Sequence, residues 1–353
     1  VTLTILGLLL LVGSLGACTG KGFAPPDRGP GLLSPGAHEL VLLHDGMERR
    51  YLVDVPDAAR SGFPPPVVLA FHGGGGNPWQ FRRTNGLLEL GALEGFILVH
   101  PAGFSVAGQG SWNAGFCCGR AAALGVDDVG FVEALLDDLS ARIALDPDRV
   151  YATGHSNGGM ITYRLAEEIP HRLAAVAPVG GARLSEAGPA GPPVPLLHIH
   201  SRDDPRALHA GGLGPPFPGT SHRVRHPPVE AVLEWWKARN GCEGPGRLLE
   251  TRIGDPGSPG EGHRAELLAW DACTPLAHWR LEGPGHGWPG APLAGLREAV
   301  IGPGTTVVDA AHEAWEFLRQ HRRLRLGHLL PPLLESHGAR RPGRRDAQTT
   351  LSG

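Results

Sequence analysis

The strongest constraint on the fold is a repeated unit. A short, mostly apolar run ends in a glycine-rich or polar loop, and a stretch with helical spacing often follows. The runs are Pro66–Phe71 (PVVLAF), Phe96–His100 (FILVH), Arg149–Thr153 (RVYAT), Ala174–Val179 and Val194–His200 (VPLLHIH). Runs this short that are apolar on both faces suit strands buried inside a parallel sheet. Helical spacing marks Gly130–Ile143, Met160–Glu168, Pro228–Asn240 and Thr305–His321. The alternation predicts an α/β fold with a mostly parallel central sheet and helices on both faces. His38–Asp54 reads as a hairpin about Asp45-Gly46, and Ala265–Ala272 and Ala277–Glu282 read as late strands. Glycine- and proline-rich pieces at 186–193, 211–219 and 253–262 fall between elements, so residues 38–321 are expected to form one domain.

Composition bounds the rest. The 353 residues include 53 Gly and 34 Pro, a content that borders on that of disordered chains. A hydrophobic content of 41% and a net charge of only −3 nevertheless supply a core. With 32 basic against 35 acidic residues, no general phosphate-binding field exists, so a nucleic-acid partner is not expected. The exception is Arg322–Gly353, where seven Arg face two acids, a net of +5; this tail is expected to be disordered.

Residues 2–15 are apolar and uncharged, too short a run for a comfortable membrane span and suited to the core of an export signal. The run ends in Leu15-Gly16-Ala17-Cys18, which resembles the bacterial lipoprotein signal. The expectation is cleavage before Cys18, lipidation of Cys18, and a flexible tether over 19–37. The protein is then secreted or held in a bacterial cell envelope, as a monomer that meets a membrane only through its lipid. Export implies an oxidising compartment. Cys117, Cys118, Cys242 and Cys273 allow three disulfide pairings. A bridge between the adjacent Cys117 and Cys118 is sterically awkward, yet it is the natural partner of a 242–273 bridge. Adjacent cysteines do not suit a zinc site, and no metal or cofactor is expected.

The most informative motif is Gly154-His155-Ser156-Asn157-Gly158, between the strand RVYAT and a helical pattern. The form G-x-S-x-G gains meaning from that context, a sharp strand-to-helix turn that lifts a serine hydroxyl to the sheet edge. Such a serine needs a base, and the base needs an orienting acid. Asp204 follows the strand VPLLHIH, with Asp203 as its rival, and His286 lies in the glycine-rich loop Gly283–Gly290. His263, His278 and His312 sit in a hairpin loop, a strand and a helix, which suits them less. The order Ser156, Asp204, His286 is the one expected for such an elbow. The Asn157 N–H and a backbone N–H from His72-Gly73-Gly74-Gly75-Gly76, with Gly74 favoured and Gly73 next, are the candidate oxyanion donors. Asp127 and Asp128 read as helix caps.

With these residues in place, the chain resembles the secreted polyhydroxybutyrate depolymerase and feruloyl/acetyl-xylan esterase group of α/β-hydrolases. The matching pieces are HGGGGN (72–77), WNAGFCCG (112–119), VDDVGFV (126–132), VYATGHSNGGM (150–160), HIHSRDDP (198–205), VEAVLEWWKARNGC (229–242), GPGHGWPG (283–290) and AAHEAWEFLRQH (310–321). The resemblance implies a carboxylesterase with Ser156 as nucleophile, Asp204 as acid and His286 as base. It implies a Cys242–Cys273 disulfide, and an ester substrate such as a hydroxyalkanoate oligomer or a plant cell-wall ester. Trp112, Asn113 and Trp288 are the expected substrate-lining residues. The chain departs from the family's H-G-T-x-D at His200-Ser201-Arg202-Asp203-Asp204, and His209 stands where a Tyr is usual. A serine peptidase on the same fold and an inactive surface-binding protein are the competing readings.

Overall fold

The computed structural model describes residues 32–60, 63–217, 222–292 and 296–323. The expected export signal, Cys18 and most of the expected tether lie outside the described residues, as does the tail beyond Arg323.

The chain opens with β1 (Gly36–His44) and β2 (Met47–Val55), paired antiparallel. Their turn puts Asp45 and Gly46 at φ of 49° and 72°, the left-handed pair that a two-residue hairpin needs. Then follow β3 (Val67–Phe71), α1 (Pro78–Thr84), α2 (Leu87–Glu94) and β4 (Ile97–Pro101). A small hairpin, β5 (Phe104–Val106) and β6 (Gln109–Ser111), leads to α3 (Gly119–Ala123) and α4 (Asp128–Arg142). Next come β7 (Val150–His155), α5 (Asn157–Glu168), β8 (Ala175–Val179) and β9 (Leu196–Ser201). The two-residue strands β10 (Gly212–Leu213) and β11 (Arg225–His226) pair with each other before α6 (Val229–Asn240). The chain closes with β12 (Arg247–Ile253), β13 (Arg264–Trp270), β14 (Leu276–Glu282), α7 (Leu296–Ile301) and α8 (Ala310–Leu318).

Ten strands form one sheet in the order β1-β2-β4-β3-β7-β8-β9-β14-β13-β12. The six central strands run parallel, and an antiparallel pair flanks them at each edge. Alternate side chains serve opposite faces. Val67, Leu69 and Phe71 pack with Phe131 of α4, Ile161 of α5 and Trp236 of α6. Val68 and Ala70 pack with Phe81 of α1, Leu87 of α2 and Trp315 of α8. The helices therefore cover both faces, as expected for an α/β-hydrolase fold. Among the described residues, no helix is long and apolar enough to cross a membrane.

Four expectations are corrected. The last helix starts at Ala310 rather than Thr305, because the Asp309 carboxylate accepts from the Ala311 and His312 N–H groups and caps it there. Packing also begins before residue 38: β1 opens at Gly36, and the Leu33 N–H donates to Arg142 O. At the other end, Arg322 and Arg323 pair with Asp146 and Asp148, so the body runs past 321. Finally, Asp127 does cap α4 by accepting from the Gly130 N–H at 2.9 Å, but Asp128 does not cap it. Asp128 is fully buried, ion-paired with Arg49, and accepts from the Asn113 N–H at 2.7 Å.

Cys242 and Cys273 are bridged across a Cα separation of 5.0 Å, and Cys117 pairs with Cys118.

Candidate active site

β7 sits at the centre of the parallel strands, and its C-terminal end turns directly into α5. The turning residue is Ser156, at φ 57° and ψ −119°. A serine in that region is strained, and it persists only where its surroundings enforce it. Here they do. A Cβ on Gly154 would lie 2.4 Å from Gly158 O, and one on Gly158 would lie 2.1 Å from Phe71 O, so no side chain fits at either position. The Ser156 N–H donates to Val179 O of β8 at 2.8 Å, which fixes the apex.

The loops after β9 and β14 bring two side chains to that apex. His286 Nε2 lies 2.8 Å from Ser156 Oγ, and His286 Nδ1 lies 2.6 Å from Asp204 Oδ2. With Nδ1–H donated to the carboxylate, Nε2 is free to accept the serine proton; the tautomer follows from this network. The other oxygen of Asp204 accepts from the Arg206 and Ala207 N–H groups at 2.7 and 2.8 Å. Burial alone would raise the Asp204 carboxyl. The charge of His286 and hydrogen bonds from His200 and His286 outweigh it and hold the group well below the usual carboxylate range.

Asp203 faces elsewhere: its carboxylate accepts from the Gly283 N–H at 2.7 Å. Ser201 Oγ donates to Pro284 O. These two bonds stitch the acid-bearing loop to the base-bearing loop. Asp204, not its neighbour, therefore meets His286.

The glycine loop after β3 lies beside the serine. A Cβ on Gly73 would sit 3.4 Å from Ser156 Cβ, and one on Gly74 would sit 3.5 Å from Asn157 Cβ. The Gly75 and Gly76 N–H groups are already donated, to Gly110 O and Gly73 O. Among the described residues, those of Gly73 and Gly74 meet no acceptor; both glycines line the larger cavity at Ser156, and Gly74 and Asn157 line the smaller one. The loop is held from behind. His72 Nδ1–H donates to Gly73 O and its Nε2 accepts from the Gly103 N–H. Burial pushes the His72 imidazole down to about 4, so the ring is neutral.

Trp112 and Asn113 do not occupy the place expected of them. Trp112 is fully buried, its indole N–H donating to His72 O at 2.9 Å. Its backbone is clamped by the Asn157 side chain, whose Oδ1 accepts from Trp112 N–H and whose Nδ2 donates to Trp112 O. Asn113 donates to Val126 O and lines a separate surface hollow. Trp112 therefore supports the site from behind. Trp288 does line the cavity at Ser156, edge-on to Phe81 with ring centroids 5.3 Å apart.

Two cavities meet at Ser156, Gly74 and His286. One, of about 280 Å³, is walled by Gln80, Phe81, His155 and Trp288. The other, of about 160 Å³, is walled by Met160, Arg206, Phe217, Val224 and His226. Among the described residues, no group of three or more His, Cys, Asp or Glu is arranged to hold a metal ion.

Sequence reasoning missed a buried chain behind the acid. Tyr163 O–H donates to His198 Nδ1 at 2.8 Å, His198 Nε2–H donates to His200 Nδ1 at 3.1 Å, and His200 Nε2–H donates to Ala207 O at 2.7 Å. Ala207 belongs to the turn whose N–H groups hold Asp204. Burial, then the neighbouring histidines, lowers His198 far below its ordinary value, so that ring is neutral. The signal was available: His198 and His200 are two apart on a strand and so share a face.

A strand-to-helix elbow in a parallel sheet, with an acid and a histidine on the loops of later strands, defines an α/β-hydrolase. The model of the family described as esterase PHB depolymerase matches residues 50–238, more than half of the chain, and the chain belongs to that family. NocK of Nocardia uniformis subsp. tsuyamanensis, an esterase by name, is 29% identical over 344 residues, which span 89% of this chain and 96% of that protein. Feruloyl esterase C of Emericella nidulans is 25% identical over 296 residues, 81% of this chain and 91% of its own length. Among solved structures, an acetyl xylan esterase from Aspergillus awamori superposes with a TM-score of 0.51 at 17% identity, covering 71% of this chain and 94% of that one, which supports the fold.

Proposed function

We propose that this esterase is an exported serine carboxylesterase working through an acyl-enzyme on Ser156. The observation that carries the reading is the continuous line from Ser156 Oγ to His286 Nε2 and from His286 Nδ1 to Asp204. In the first half-reaction His286 Nε2 takes the Ser156 proton as Oγ attacks the ester carbonyl. The Asn157 and Gly74 N–H groups donate to the developing oxyanion, and Asp204 stabilises the imidazolium. His286 then returns the proton to the leaving alcohol. In the second half-reaction His286 deprotonates water, which attacks the acyl-enzyme; as the bond to Ser156 Oγ breaks, His286 returns that proton to Oγ and the acid leaves.

Short hydroxyalkanoate and hydroxycinnamoyl or acetyl esters are the proposed substrate range, supported by the names of the relatives. Export is supported by the Cys242–Cys273 bridge, a feature of oxidising compartments.

A fluorophosphonate probe and a 4-nitrophenyl butyrate assay test the mechanism. The wild type is expected to be labelled at one serine and to turn over. Ser156→Ala is expected to lose the label and about three to six orders of magnitude in kcat. Full activity in Ser156→Ala would overturn the reading. Parallel assays on methyl ferulate, acetylated xylan and a polyhydroxybutyrate film rank the ester classes.

A further inference from the structure

The walls of the two cavities at Ser156 differ in charge. Among the described residues, neither cavity is lined by an Asp or a Glu, and the smaller one is lined by a single arginine, Arg206. The rest of that smaller cavity is largely apolar, with Met160, Pro215, Phe217, Val224 and Ile301.

Arg206 differs from two other inward-lying arginines of the chain. Arg49 pairs with Asp128 and Arg183 with Glu167, each a buried ion pair. The Arg206 guanidinium meets no carboxylate among the described residues. One of its five N–H donors goes to Pro216 O at 3.0 Å, and the group lies 5.9 Å from the Phe217 ring centroid. The remaining donors meet no acceptor among the described residues, and Arg206 is half-buried on a largely apolar wall. A guanidinium in that setting matches a carboxylate, which it can bind through two parallel hydrogen bonds.

Its placement is tied to the reacting groups. The Arg206 N–H is held at 2.7 Å by the same Asp204 carboxylate that orients His286. The surrounding segment repeats the charge preference. Residues 205–229 contain Arg206, Arg223, Arg225, His209, His222 and His226 and no acid, in a chain whose net charge is −3. A local positive field at the mouth of a cleft raises the concentration of anionic substrate there.

We propose that Arg206 is a specificity residue and that the smaller cavity receives the carboxylate end of an ester whose acyl or alcohol part is itself an acid. An open-chain hydroxy-acid oligomer has this form. The proposal rests on the serine-esterase reading and narrows its substrate class.

The test compares wild type, Arg206→Gln and Arg206→Lys on matched esters. On the acyl side, 4-nitrophenyl hydrogen glutarate is set against 4-nitrophenyl pentanoate. On the alcohol side, 3-butanoyloxypropanoate is set against butyl butanoate. The readout is the ratio of kcat/KM for the anionic ester to that for its neutral partner. In Arg206→Gln this ratio is expected to fall about ten- to a hundredfold on one side, and the side identifies which part of the ester enters the cavity. Arg206→Lys is expected to recover part of it. For wild type, the favoured anionic ester is expected to lose kcat/KM as salt rises. Thermal midpoints and far-ultraviolet circular dichroism matching the wild type verify that the variants are folded. Ratios unchanged on both sides in Arg206→Gln would overturn the proposal while leaving the esterase reading in place. A wild type inactive on all four esters would overturn both.

Discussion

At the residue scale, the acid of the triad shows how geometry decides between neighbours. Asp203 and Asp204 are adjacent carboxylates on one loop, and composition cannot separate them. Asp204 is buried at 4% exposure and faces His286, whereas Asp203 is exposed and receives the Gly283 N–H. Asp204→Asn is expected to present an amide N–H where a carboxylate oxygen must accept, which favours the wrong imidazole tautomer. A loss of about 10³- to 10⁴-fold in kcat is expected, with little change in KM. Asp203→Asn is expected to stay within about tenfold, because it perturbs only the stitch between loops. Steady-state kinetics on 4-nitrophenyl butyrate compare the two, and equal losses would contradict the assignment. Trp112 makes the complementary point. Its place in the chain suggests a substrate wall, but its indole N–H has a partner in His72 O, and the ring is enclosed. No pattern in the sequence announces such a partner.

At the element scale, the elbow was legible and several surrounding elements were not. The strand Val150–His155 and the helix after Ser156 follow from an apolar run, a glycine pair and helical spacing. The buried strands β3, β4, β8 and β9 were legible for the same reason, as uninterrupted apolar runs. Periodicity assigned nothing to residues 77–95, yet α1 and α2 lie there. Their signals are local: Asn77 accepts from the Gln80 N–H, Pro78 opens the first turn, and Gly95 ends the second helix at φ 80°. β12 was missed because it is an edge strand. Leu248, Leu249 and Ile253 are exposed on it, so no buried face imposes an alternation. The close packing of the elbow makes a direct prediction. Gly158→Ala places a methyl group against the Phe71 and His72 carbonyl oxygens and is expected to cost about 3 kcal/mol or more in stability. Gly188→Ala, where nothing lies within 4 Å, is expected to cost under about 0.5 kcal/mol. Urea unfolding midpoints check both, and an unchanged midpoint for Gly158→Ala would refute the packing argument.

At the scale of the whole molecule, the fold buries several neutral imidazoles. Burial lowers His72 to about 4 and His100 and His278 to about 3, and His198 lies lower than its ordinary value for the same reason. The unfolded chain binds protons at these rings near pH 6.5, while the folded protein does not until about pH 4 or below. Between those values unfolding takes up protons, so stability falls as pH falls. Each ring contributes up to ~1.4 kcal/mol per pH unit across that window. The thermal midpoint is expected to be level above pH 7 and to drop from about pH 6.5 downward. A midpoint that holds steady from pH 7 to pH 5 would show that these rings titrate normally. One more consequence follows from the exposed strap of residues 186–193, which joins β8 to β9. It is the seam between the nucleophile and both of its helpers, since Ser156 lies before it and Asp204 and His286 lie after it. Severing the backbone there yields two polypeptides, each lacking part of the triad, whose reunion requires β8 and β9 to pair again. Ester hydrolysis by a mixture of the halves would then be a complementation signal, reporting how faithfully two separate chains rebuild one sheet.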